Sequence, residues 1–104
     1  MSELVRIAKI DEVEEGKGMV VEAGGKCLAL FKMDGAFHVI DNTCLHRGGP
    51  LGEGDVEGET VSCPWHGWEY NVKTGHCLTN PSSHVRSYPT VVEDGEVKVD
   101  LSQA

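Results

Sequence analysis

Short apolar stretches broken by turn residues run through most of this chain. Residues 4–10 (Leu-Val-Arg-Ile-Ala-Lys-Ile) alternate apolar and polar toward their end, as a half-buried strand does. Asp11 to Gly18 is acidic and bounded by glycine, which predicts a loop, and Met19 to Glu22 predicts a second strand. Ala23-Gly24-Gly25-Lys26 supplies hairpin-turn chemistry, Cys27 to Lys32 is the returning strand, Asp34-Gly35 is a second turn, and Ala36 to Ile40 is the next strand. From Asp41 to Pro81 the periodicity weakens and Cys, His, Gly, Pro and Trp dominate. Within that stretch Glu59 to Cys63 and Trp68 to Val72 predict short strands, Thr74-Gly75 a turn and residues 80–83 a loop. Strand patterning resumes over Tyr88 to Glu93. The turn Asp94-Gly95 follows, then Glu96 to Leu101, where Val97, Val99 and Leu101 share one face. No stretch has the pattern of a long amphipathic helix, and there are no repeats or linkers, so the chain is expected to be all-β, a sandwich or barrel of short strands.

At 104 residues this is enough for one domain with a modest core. The expected organisation is a single domain over 1–104, with a β scaffold at about 1–41 and 82–104 and an inserted metal-binding subdomain at about 42–81. Seventeen acidic against nine basic residues give a formal charge of −8, which argues against nucleic acid as a partner because phosphate binding needs a cationic face. The charge suits steering toward a basic protein partner, or solubility alone. Residues 1–10 carry Glu3, Arg6 and Lys9 and form no signal-peptide core, and no segment approaches the roughly 20 apolar residues of a membrane span. A soluble, cytoplasmic protein is expected, in which Cys residues stay reduced and read first as metal ligands or buried thiols.

The chemistry concentrates in two clips, Cys44-Leu45-His46 and, sixteen residues on, Cys63-Pro64-Trp65-His66. Each offers one thiolate and one imidazole. In extended or turn backbone the side chains of Cys44 and His46 project to the same side. A set of two Cys and two His suits a dinuclear iron–sulfur cluster in which the thiolates hold one iron and the imidazoles the other. Neither clip completes an iron site alone, so the cluster would staple the two loops together. Gly48, Gly49 and Gly67 lie just past the His residues, where unencumbered backbone N–H groups can approach sulfur. Two ferric ions, two sulfides and two thiolates sum to zero with neutral His, so one added electron makes the site −1, a charge such donors stabilise. The competing structural reading is a zinc site, but its usual spacing pairs Cys with Cys and His with His, whereas each clip here mixes them. Cys27 and Cys77 read as buried small hydrophobes, with a disulfide between them disfavoured by the compartment. His38, His76 and His84 lack ligand spacing and read as structural or surface groups. Arg47, beside a ligand His, reads either as a docking residue or as solvated charge.

The two clips, together with Gly48-Gly49-Pro50-Leu51-Gly52 and Cys63-Pro64-Trp65-His66-Gly67-Trp68-Glu69-Tyr70, resemble the Rieske iron–sulfur proteins. The size and β flanks extend the resemblance over nearly the whole chain, and it is strongest to the ferredoxins that serve ring-hydroxylating dioxygenase systems. The resemblance implies the Rieske fold of three antiparallel sheets, one [2Fe-2S] cluster at a tip held by Cys44, His46, Cys63 and His66, exposed His ligands, and a covering loop at Pro81. It further places Gly48, Gly49, Trp65, Gly67, Trp68, Tyr70 and Pro81 around the cluster. The respiratory branch of the family joins its two loops by a disulfide, at positions held here by Gly49 and Trp65, and places a Ser hydroxyl where this chain has Trp68. A potential toward the low end of the Rieske range, roughly −150 to +300 mV, is expected. Tyr70 stands where that branch has a Tyr that donates to a ligand sulfur, or else is an ordinary strand aromatic. The implied function is one-electron transfer from a flavin-dependent reductase to a terminal oxygenase, by a carrier and not an enzyme. The rivals are a small Rieske subunit of another oxidoreductase, such as nitrite reductase, and a zinc-stabilised interaction module.

Overall fold

The computed structural model describes residues 4–33, 35–42, 50–64, 67–80 and 82–101. Among the described residues ten strands run in chain order: β1 (Leu4–Lys9), β2 (Lys17–Ala23), β3 (Lys26–Met33), β4 (Ala36–Asp41), β5 (Asp55–Glu57), β6 (Thr60–Ser62), β7 (Glu69–Asn71), β8 (Ser87–Tyr88), β9 (Thr90–Glu93) and β10 (Glu96–Asp100). The same residues form two single 3-10 turns, Ile10–Glu12 and Leu51–Glu53. The strands form three antiparallel sheets in the orders β1-β10-β9, β2-β3-β4-β8 and β5-β6-β7, the last lying wholly between residues 42 and 81.

The four-stranded sheet is the middle layer. Along β3, Leu28, Ala29, Leu30 and Phe31 are all fully buried. Leu28 and Leu30 join Val21, Phe37, Val39, Tyr88, Val97 and Val99 in one core, while Ala29 and Phe31 join Ile40, Leu51, Val61, Cys63, Tyr70, Val72, Cys77 and Val85 in the other. Successive side chains in a strand point to opposite faces, so a strand covered on both sides reads as a continuous apolar run. The third sheet is thus seated on the scaffold through a shared core.

Three expectations need correction. The strand expected over Tyr88–Glu93 breaks at Pro89 into β8 and β9, which belong to different sheets. Proline has no N–H for a ladder, and the Pro89 carbonyl instead accepts from the Asp100 amide at 2.9 Å. Strand β5 and the 3-10 turn before it lie in a stretch whose polar texture hid them. Cys27 is exposed, not buried. It shares a parity with Ala29 and Phe31 but stands one step beyond the end of their core. Neither Cys27 nor Cys77 is bridged.

Asp41 ties β4 to β8. The Tyr88 hydroxyl donates to Asp41 Oδ1 at 2.7 Å, and the Arg86 amide donates to Oδ2 at 3.2 Å. Burial, followed by the Asp41 hydrogen bond and charge, pushes the Tyr88 phenol up to about 12. Folding therefore favours the neutral phenol. This contribution is complete below the ordinary value near 10 and is lost as pH rises from there through about 12. Tyr88→Phe should lower the melting temperature at neutral pH, by loss of a charge-assisted bond, and flatten the decline between pH 10 and 12. Melting curves across pH 8–12 check both; an unaltered alkaline slope in the variant would assign the decline to other groups.

Candidate metal centre

Cys63 directly follows β6 and is only 2% exposed. Its amide donates to the Trp68 carbonyl at 2.7 Å, and the Gly67 amide donates back to the Cys63 carbonyl at 3.1 Å. Residues 63 and 67–68 therefore close a tight turn at the end of the β6–β7 hairpin. The turn exits through Gly67 at φ +76°, a left-handed conformation that glycine enters without a Cβ penalty. A buried sulfur held this way suits a thiolate-ligated iron, so the residue fits the donor set. Trp68 is half-buried against the same core, and Tyr70 is fully buried within it, opposite Val61 on β6 and Cys77 on the far side.

Cys44, His46 and His66 lie outside the described residues, as do Arg47, Gly48, Gly49, Trp65 and Pro81. The residues flanking them are well fixed. Asn42, directly after β4, is buried, and both its backbone and its side chain hydrogen-bond across to Leu51 and Gly52. On the other side, residues 76–79 lie along β7. The Asn71 amide donates to the His76 carbonyl (2.9 Å), the Leu78 amide to the Glu69 carbonyl (2.8 Å), and the Glu69 amide to Thr79 Oγ1 (3.0 Å). The Cys77 amide donates to the Ser83 carbonyl (3.1 Å), and buried Cys77 Sγ accepts from the Asn80 amide (3.3 Å). Ser82 Oγ donates to Asn80 Oδ1 at 2.9 Å, so the residues on either side of Pro81 are tied to one another.

The remaining histidines stand in structural positions. His76 and His84 face each other across the base of this strap. His38 Nε2 is buried with no hydrogen-bond partner among the described residues. Burial, then the nearby Lys73 charge, pushes His38 below its usual range, opposed by Glu59, so it is neutral at pH 7. A groove of about 460 Å³ opens beside it, lined by Lys73, Ser87, Tyr88 and neighbours. Asn42 was the residue that sequence reasoning missed. The available signal was an Asn closing an apolar strand, a position where its side chain serves backbone groups.

The Rieske [2Fe-2S] domain family matches residues 3–89, and the chain belongs to it. The ferredoxin component of the p-cumate 2,3-dioxygenase system of Pseudomonas putida is 35% identical over 104 residues, covering 97% of this chain and 88% of that protein. Among solved structures, a chain of the complex of reduced oxygenase and oxidized ferredoxin in carbazole 1,9a-dioxygenase superposes with a TM-score of 0.85 at 27% identity, over 93% of this chain and 92% of that one. A Mycobacterium tuberculosis chain assigned as the small subunit of an NADH-dependent nitrite reductase gives 0.88 at 25% identity, over 96% of each. This protein is a Rieske ferredoxin, an electron carrier with one [2Fe-2S] cluster and not itself a catalytic enzyme. Among the described residues no helix is long and apolar enough to cross a membrane.

Proposed function

We propose that this chain takes single electrons from a flavin-dependent reductase and delivers them to the terminal oxygenase of an aromatic-ring dioxygenase system. The observation that carries this reading is the likeness, along nearly the full chain, to a ferredoxin component of such a system. Cys44 and Cys63 hold one iron and His46 and His66 the other, within a cluster-binding subdomain at about 42–81. The bound group supplies reversible one-electron chemistry. The chain does the rest. The turn at Cys63 keeps its sulfur out of water, and the tied residues around Pro81 fix the strap above β7. His46 and His66 offer the exit toward a partner. Trp68 brings no hydroxyl to the cluster, which keeps the potential toward the low end of the family range. A wholly buried tyrosine such as Tyr70 needs an internal partner for its hydroxyl, and a ligand sulfur suits that role. The charge of −8 steers the carrier to basic docking faces. The cytoplasm suits the unbridged Cys27 and Cys77.

Anaerobic reduction should take up one electron per two irons and give a rhombic paramagnetic-resonance signal. Stopped-flow mixing with the oxygenase component of an aromatic dioxygenase should then reoxidise the protein, more slowly as salt is raised. Reoxidation by the catalytic chain of a nitrite reductase, and not by an oxygenase, would overturn the partner assignment. A colourless zinc protein would overturn the ligand assignment.

A further inference from the structure

We infer that Asn42 is a positioning residue for the first ligand clip, and that its side chain sets the electronic environment of the cluster as well as contributing to stability. This rests on the reading above, in which Cys44 and His46 are ligands.

Asn42 uses every polar group it has. Its amide donates to the Cys27 carbonyl at 3.2 Å, and its carbonyl accepts from the Leu51 amide at 2.7 Å. Its side-chain Oδ1 accepts from the Gly52 amide at 2.7 Å, and Nδ2 donates to Cys27 Sγ at 3.3 Å. The orientation of the side chain is dictated by chemistry. The Gly52 N–H can only donate, so oxygen must face it, and the NH₂ then meets a sulfur that can accept. The two ends of the stretch that carries Cys44 and His46 therefore meet on a single residue. Cys44 is two positions from Asn42, too short a span to absorb a shift at the anchor.

The neighbours leave this arrangement little freedom. Gly52 lies directly on β2, where a Cβ would come within 2.8 Å of the Met19 carbonyl carbon and oxygen. Its N–H is buried, with Asn42 Oδ1 as its partner. Asp41, the residue before, is held from the other direction by Arg86 and Tyr88. The end of β4 is thus clamped on both sides, immediately before the clip. A carrier whose ligands hold still between oxidation states loses less to reorganisation when the electron moves.

The test uses the cluster-loaded protein with Asn42→Ala, the milder Asn42→Ser, and Val97→Ala. The last removes bulk from the other core, the one between the first two sheets, and serves as a stability-matched control. Hydrogen exchange over the peptide spanning 50–53 should quicken about tenfold or more in Asn42→Ala, since a buried amide loses its partner. Chelator-driven loss of the cluster should quicken similarly. The midpoint potential and the paramagnetic-resonance g values should shift in Asn42→Ala and, by less, in Asn42→Ser, while Val97→Ala lowers the melting temperature and leaves both unchanged. If Asn42→Ala does not fold, Asn42→Ser alone decides. A lowered melting temperature with midpoint and g values equal to the parent's would reduce Asn42 to a structural residue and overturn the inference. A parent protein without iron or signal would instead show that the ligand reading had failed.

Discussion

Cys63→Ala should yield a colourless protein that retains no iron. Cys63 is one of two thiolates assigned to the cluster, and an alanine methyl offers iron nothing. The sulfur is buried, 2% exposed by residue, so water has little access to take its place. The thiolate-held iron takes one Cys from each clip, so loss of this sulfur removes half of that iron's protein ligands and one of the bonds that staple the clips together, and binding energy that would have counted toward folding is lost with it. The turn's hydrogen bonds from the Gly67 amide and to the Trp68 carbonyl involve backbone only and survive the substitution, so the hairpin itself should persist. Iron and acid-labile sulfide content with the visible spectrum give the measurement, and Cys77→Ala is the comparison. Cys77 is equally buried, and its sulfur accepts the Asn80 amide, but it belongs to neither clip. It should keep its colour with a modest loss of stability. A Cys63→Ala protein that kept two irons, or a Cys77→Ala protein that lost them, would reassign the thiolates.

That contrast between Cys63 and Cys77 is drawn from local spacing, which places Cys63 in a clip and Cys77 outside both. Strands β3 and β10 were legible in the sequence. The run Leu28–Phe31 and the alternation of Val97 and Val99 declare strands whatever surrounds them. What stayed hidden depends on distant partners. Asp55-Val56-Glu57 is a strand because β6 lies beside it at matched register, not because its residues favour one. Cys27 belongs by parity to a buried face, and only the place where that core ends exposes it. Asn42 drew no reading from its local sequence. Its weight comes from Gly52 and Cys27, ten and fifteen positions away.

Gly75 shows the same dependence on a distant partner in energetic terms, and Gly75→Ala should destabilise the protein severely. Gly75 has φ +80°, and a Cβ there would fall on the Val85 carbonyl oxygen. The site cannot relax cheaply. The Gly75 amide donates to the Asn71 carbonyl at 2.8 Å, and the Val85 amide donates to the Gly75 carbonyl at 2.8 Å. One residue therefore joins the turn after β7 to the return of the strap at Val85, just outside the paired His76 and His84. Left-handed backbone costs a non-glycine residue about 1–2 kcal/mol, and forced overpacking adds roughly 1–3 kcal/mol. Together these are a large share of the roughly 5–15 kcal/mol that holds a domain folded. The melting temperature should fall by roughly 10–30 °C, with faster cluster loss as the strap lifts from β7. Gly16→Ala isolates the two contributions. Gly16 has φ +76° with nothing within 4 Å of the added carbon, so it should show the backbone cost alone. If Gly75→Ala and Gly16→Ala melt together, Val85 yields freely, and the strap is not anchored where the hydrogen bonds place it.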